Sequence, residues 1–369
     1  MTNSAMPTRY EQLDSLRGAA SLSVVAFHYL TRFKFSEASP DIHGGVSEKL
    51  VFLMQKTPLR LLCTGHEPVI LFFVLSGFVL ALPYLSKRAA AYPAFVLKRI
   101  LRIYALYLVM LAVAVPLRDM LYAGGIPALS EWFNAGWTSP PNRADAILSY
   151  IFLMGEFDAT HYNGVVWTLT HEMRISLLFP LLMWAYTDSG WKLIMTGAFA
   201  LSLLAYTILL NNLSTLSYVM SIHYTSMFLF GFVLAKYRER LSAFAARLKP
   251  PQKAALLLAA VALYIFQSWC PGGIDEIWGD WLIATGGGLL IVILLSWKGA
   301  ARAFRHKLPL FFGRISYSVY VWHIVALYAL MYALYGTMPA GWIAALAFAV
   351  TVGASWLSYR YIEQPMRNI

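Results

Sequence analysis

The chain has 369 residues, 59% of them hydrophobic and only 13% charged, with a formal net charge of +11. A soluble domain carries about 25% charged residues, and one soluble core of this length could not hide so much apolar surface, so lipid must be the solvent for much of it. The positive balance needs no nucleic acid to explain it: membrane proteins gather Lys and Arg on cytoplasmic loops, and no basic arm interleaved with aromatics favours RNA or DNA.

The opening dozen residues, MTNSAMPTRYEQ, lack the basic-then-apolar order of a cleaved signal peptide. The first span is therefore expected to act as its own uncleaved insertion signal. A spanning helix needs ~20 mostly apolar residues. Ten such stretches begin near Leu13, Pro68, Leu97, Val165, Lys192, Ser217, Gln252, Trp278, Leu310 and Gly341. AILSYIFLMGEF, from Ala146, is too short and reads as an interfacial or re-entrant piece. No internal repeat or linker divides residues 1–369. The expected fold is all-α, a polytopic integral membrane protein of about ten transmembrane helices in one domain.

Charge sets the expected orientation. With the N-terminus inside, the cytoplasmic connections hold Lys87, Arg88, Lys98, Arg99, Lys236, Arg238, Arg240, Lys298, Arg302 and Arg305, among others. The reverse topology would put nearly all of these outside, against the positive-inside rule. Both termini are then cytoplasmic. Residues 32–66 dissent, with Arg32, Lys34, Lys49, Lys56 and Arg60 outside, but longer loops obey the rule less strictly. Cys63 and Cys270 both fall outside, where a disulfide is permitted, although two separate buried thiols fit as well.

Ionisable groups inside spans are costly and mark function or a buried pair. Arg17 and His28 are eleven residues apart in LDSLRGAASLSVVAFHYL, which on a helix puts both on one face and ~16 Å apart along the axis. Depth counting places His28 ~22 Å from the inner edge, and Glu172 and His323 at about 20 Å. Three titratable groups thus share one expected level. Each also has a plainer reading: the histidines as interhelical hydrogen-bonders, Glu172 as a partner of Arg174, and Arg17 as an interfacial anchor or a partner of Asp14. Several chemistries drop out. HEMRI at His171 lacks the second histidine of a zinc-protease helix, so no metal is expected. There is no Walker A loop or dinucleotide-binding glycine fingerprint, and VLSGFVL is not flanked as a nucleophile elbow.

In order along the chain, LDSLRGAASLSVVAFHYL, LFFVLSGFVLA, LKRILRIYALYL, WTLTHEMRISLLFPLL, ISYSVYVWHI and YIEQPMR resemble the acyltransferase-3 family of membrane O-acyltransferases, from about Tyr10 to Arg367. The first carries the family's Arg/Lys-x10-His pattern at Arg17 and His28. The resemblance implies an acyl-CoA donor, acetyl-CoA by default, approached from the cytoplasm. It also implies a hydroxyl acceptor on a cell-envelope glycan such as a polysaccharide or lipopolysaccharide, in a bacterial inner membrane. It carries donor-side roles onto Arg17, Arg99, Arg102, Ser76 and Gly77. Catalytic roles fall on His28, Glu172 and His323, with Trp167 and Tyr320 in the matching motifs. Ala105 and Ser176 depart from the family pattern, where a proline and an aromatic are frequent. The hydrolase-like domain fused to some relatives is not expected here. The competing reading is a proton-coupled transporter using buried His and Glu.

Overall fold

The computed structural model describes residues 10–32, 57–139, 143–155, 158–211, 216–269 and 276–366. Its ten long helices occupy the ten apolar stretches: α1 Glu11–Thr31, α2 His66–Leu85, α3 Tyr92–Leu121, α4 Trp167–Tyr186, α5 Trp191–Leu210, α6 Leu216–Ala246, α7 Pro250–Trp269, α8 Glu276–Ser296, α9 Lys307–Leu334 and α10 Ala340–Ser358. The chain leaves α10 through a π-helical turn, Tyr359–Glu363. The described residues form no sheet, only an isolated bridge between Tyr335 and Met338. Lys34, Lys49, Lys56, Cys270 and Arg367 lie outside the described residues. Cys63 is described: it is buried, and burial pushes its thiol up to about 11.

Seven of the helices, α2, α3, α5, α6, α8, α9 and α10, are long and apolar enough to cross a membrane by length and composition. Of the other three, α7 is an apolar helix shorter in its described length. The remaining two are α1, which carries Asp14, Arg17 and His28, and α4, which carries His171, Glu172 and Arg174. Two of the helices least suited to lipid thus bear Arg17, His28 and Glu172, three of the groups singled out from the sequence. Such helices are tolerated when neighbours enclose them, and α1 is enclosed on most sides.

Among the described residues the interior holds two large apolar clusters, with a small third at Ala205, Val219 and Ile277, and α1 belongs to both large ones. Leu13, Leu16 and Ala20 pack with α2, α6 and α8. Val24, Val25 and Tyr29 pack with α3, α9, α10 and the segment joining α3 to α4. A nearly wholly apolar groove of about 820 Å³ runs along the back of α1, between α7, α8 and Phe348 of α10.

Two backbone crossings fix this arrangement. A Cβ on Gly18 would stand 2.5 Å from the Gly313 nitrogen, and one on Gly313 2.6 Å from the Asp14 carbonyl carbon, so α1 and α9 touch main chain to main chain. In the second crossing, between α2 and α6, a Cβ on Gly77 would stand 2.1 Å from the Phe228 carbonyl oxygen. A Cβ on Gly231 would stand 2.0 Å from that of Val74. Small residues that let helix backbones approach are the usual currency of membrane packing. Gly77→Ala is expected to lower the stability of the detergent-solubilised protein by about 1–3 kcal/mol or more through overpacking. Gly353→Ala, with nothing within 4 Å of its Cβ, should stay within ~0.5 kcal/mol. Equal thermal midpoints for the two variants would refute the crossing.

The segment joining α3 to α4 turns inward. The helix Arg143–Phe152 fills the place of the short apolar stretch. Tyr150, Tyr162, Val165 and Val166 are buried against α3 and α9, and the Asn163 side-chain amide donates to the Val321 carbonyl at 2.9 Å. Consequently α4 starts deep inside the bundle, at the level of the middle of α9.

Candidate active site

Helices α1 and α9 run parallel, since they touch at Gly18 and Gly313 and again at His28 and His323. Each histidine lies ten residues beyond its glycine, so equal rises of ~15 Å bring the two rings to one height. His28 Nδ1 and His323 Nε2 are 2.9 Å apart. His323 is fully buried, and its Nδ1 lies 2.7 Å from the Tyr320 carbonyl and 3.2 Å from that of Val319.

This network assigns the tautomers. A carbonyl only accepts, so His323 carries its proton on Nδ1 and presents a bare Nε2. That nitrogen accepts from His28 Nδ1–H, which leaves His28 Nε2 unprotonated. His28 is thus held as a neutral base with one free lone pair. Its ring is also stacked on Trp132, at 5.1 Å between centroids and 8° between planes.

Below the histidines lies a cavity of about 280 Å³ at the N-terminal ends of α1, α3 and α9. Arg17, Lys98, Arg102 and Arg314 line it, with Asp14, Glu172 and Glu363. A narrow extension of about 40 Å³ shares Arg17, Glu172 and Tyr317 with it and ends at Thr168 and Tyr320. There the Thr168 and Tyr320 hydroxyls bond at 2.9 Å, Phe72 meets the Tyr320 ring edge-on at 5.8 Å, and the His323 ring follows at 5.9 Å. Tyr320 therefore stands between the cationic cavity and the histidine pair.

Glu172 does not join the histidines. It pairs with Arg99 at 2.9 Å and accepts from the Ser76 hydroxyl at 3.4 Å. Depth counting placed it too far out because it took Val165 as the outer edge of the span. The inward-turning segment starts α4 lower, and Glu172 is a further turn, ~6 Å, below Thr168. Its side chain faces the cations, while the carbonyls of Val319 and Tyr320 orient the histidine pair.

The acyltransferase-3 family model, described as an acyltransferase domain, matches residues 10–360. The chain belongs to this family. No curated protein and no solved structure gives a significant match to it. It is a multi-pass membrane protein with an acyltransferase domain.

Within this acyltransferase the remaining expected residues separate into two groups. Arg17 and Arg102 line the cavity. Arg99 is buried and bonds Glu172 and, at 2.6 Å, the Ser176 hydroxyl; an aromatic at position 176 would leave that guanidinium one partner short. Gly77 lies at the crossing with α6, and Ser76 beside Glu172. Trp167 stacks edge-on to His171 at 5.6 Å. Arg174 turns from Glu172 to the Met154 and Gly155 carbonyls and to Ser217 and Ser221.

Three groups were missed. Lys98 and Arg314 add cations to the cavity, and the signal for Arg314 was an arginine inside an apolar run directly after Gly313. Trp132, in the segment after α3, had no sequence signal. A further buried cluster joins α2, α5, α6 and α8. Asp280 accepts from His66 at 2.5 Å and from His223 at 3.1 Å, and His223 Nδ1 meets Ser202 at 3.0 Å. Asp280, His223 and Ser202 are fully buried and line neither the cavity nor its extension. Their serine-histidine-aspartate order thus serves as a polar clamp between helices.

Proposed function

We propose that this protein is a membrane O-acyltransferase that moves an acyl group, acetyl by default, from acyl-CoA to a hydroxyl of a cell-envelope or exported glycan. Its place would be a bacterial cytoplasmic membrane, with the cationic cavity facing the cytoplasm and no metal involved. The observation that carries this reading is a neutral, oriented His28 base standing above a cavity with four cations.

The cavity suits a phosphorylated donor. Of its three carboxylates, Glu172 pairs with Arg99, so Arg17, Lys98, Arg102 and Arg314 face only Asp14 and Glu363, an excess of two positive charges. Arginine's rigid fork grips phosphate oxygens in pairs. With phosphates held near Arg17, the ~16 Å rise along α1 matches the reach an extended thioester arm needs to approach His28. The arm would pass Tyr320, so the Thr168–Tyr320 bond would open on donor binding.

In the transfer step the acceptor hydroxyl gives its proton to His28 Nε2 as its oxygen attacks the thioester carbonyl. The tetrahedral intermediate then expels the thiolate, and the imidazolium returns the proton to sulfur. An ester forms, a thioester breaks, and the free thiol leaves towards the cavity. The acceptor's proton leaves on the thiol, so no free proton is produced or consumed.

The test is transfer of radiolabelled acetyl from acetyl-CoA to the glycan of membranes containing the protein, with mass spectrometry of envelope glycans for the added acyl increment. Arg102→Ala and Arg314→Ala should each raise the KM for acetyl-CoA about tenfold or more, the worth of one charge-assisted hydrogen bond, with a smaller effect on the plateau rate. Unchanged KM in both would remove the phosphate site. Substrate uptake by proteoliposomes lacking acyl-CoA would instead support the transporter.

A further inference from the structure

In the reaction above His28 becomes a cation at depth in the bundle, where an uncompensated charge is expensive. Acyl-transfer histidines ordinarily have a carboxylate behind them to offset this. Among the described residues no carboxylate is hydrogen-bonded to either ring of this pair, and Glu172 is engaged with Arg99. His28 donates instead to another neutral imidazole, which supplies a dipole but no charge.

Of the two other rings beside His28, Phe27 is tilted by 60° and Trp132 lies parallel, 8° between planes and 5.1 Å between centroids. That is inside the ~6 Å at which a cation is drawn to an aromatic face, and Trp has the strongest face of the natural side chains. The indole is also placed with unusual care for a loop residue. It stands on a single helical turn, Glu131–Asn134, tied to the end of α1. Ser130 N–H donates to the Arg32 carbonyl at 2.8 Å, and Ser130 Oγ to that of Thr31 at 2.7 Å. Asn134 ties the turn back to Ile126 and Leu129. Next to Trp132, Phe133 is fully buried against Tyr328 at 4.7 Å.

We infer that Trp132 is a positioning residue whose indole face stabilises the imidazolium formed on His28 during acyl transfer, taking part of the role a carboxylate plays elsewhere. This rests on the proposed acyl transfer.

The experiment uses the full chain in proteoliposomes containing the glycolipid fraction of its own membranes at several densities, with radiolabelled acetyl-CoA. Position 132 carries tryptophan, then mono-, di- and trifluorotryptophan, which keep the shape and progressively weaken the ring's negative face. Trp132→Phe and Trp132→Leu accompany them. The plateau rate should fall stepwise with fluorination. Leucine should cost about 2- to 30-fold, the range of cation–π contributions, and phenylalanine should recover part of it. The KM for acetyl-CoA should not move. A flat rate across the fluorinated series overturns the inference, whatever Trp132→Leu does to folding. So does an effect confined to the glycolipid density needed for half-maximal rate, which would make Trp132 an acceptor contact. No transfer by the wild-type protein would refute the proposed function itself, and this inference with it.

Discussion

His28→Ala is expected to lower acyl transfer about 10²- to 10⁴-fold, the usual worth of a positioned general base, while the protein still inserts and elutes as a single species. The expectation follows from the tautomer chain: the Tyr320 carbonyl fixes the His323 proton, and His323 fixes that of His28. His323→Ala should do less, because His28 keeps a lone pair but loses its orientation. The plateau rate would drop more than the donor KM in both variants. Should His28→Ala retain activity within threefold of wild type, the base lies elsewhere and the reaction scheme fails.

Arg99→Ala is expected to destabilise the protein by about 3–5 kcal/mol, the cost of leaving one member of a buried ion pair alone. The Arg99 and Glu172 side chains are only 7% and 19% exposed, and the guanidinium also holds Ser176. Arg99→Ala combined with Glu172→Gln should recover much of the loss, since no uncompensated charge then remains. This separates Arg99 from Arg102 and Arg314, whose replacement should affect donor binding with little effect on the thermal midpoint. Stability unchanged in Arg99→Ala, within ~0.5 kcal/mol, would show that water in the cavity solvates Glu172 and that the pair is not structural.

Much of this was legible in the sequence for an identifiable reason. Helices are straight rulers, so counting residues from the inner edge placed His28 and His323 at one depth, and they meet. The same ruler failed for Glu172 because the chain before α4 folds inward, and no periodicity in AILSYIFLMGEF reveals how far. Sequence spacing also cannot separate neighbours on a helix by environment. Lys98 faces the cavity while adjacent Arg99 is enclosed by α4, and only the packing of α3 on α4 decides which is which. Gly77 shows a similar limit. A glycine beside a serine suggests a ligand cradle, but here the missing side chain lets α6 come close. Trp132 was invisible because its partner is ~100 residues earlier in the chain and the turn that presents it has no helical pattern.

The Gly18–Gly313 contact has a consequence for how the molecule can vary. The spacers from this contact to His28 and to His323 have equal length and run the same way. One residue inserted into either spacer would swing its imidazole ~100° about the axis and shift it ~1.5 Å, putting the rings out of phase. A matched insertion in the other helix would restore the height but not the facing. These two ten-residue intervals are fixed as a pair.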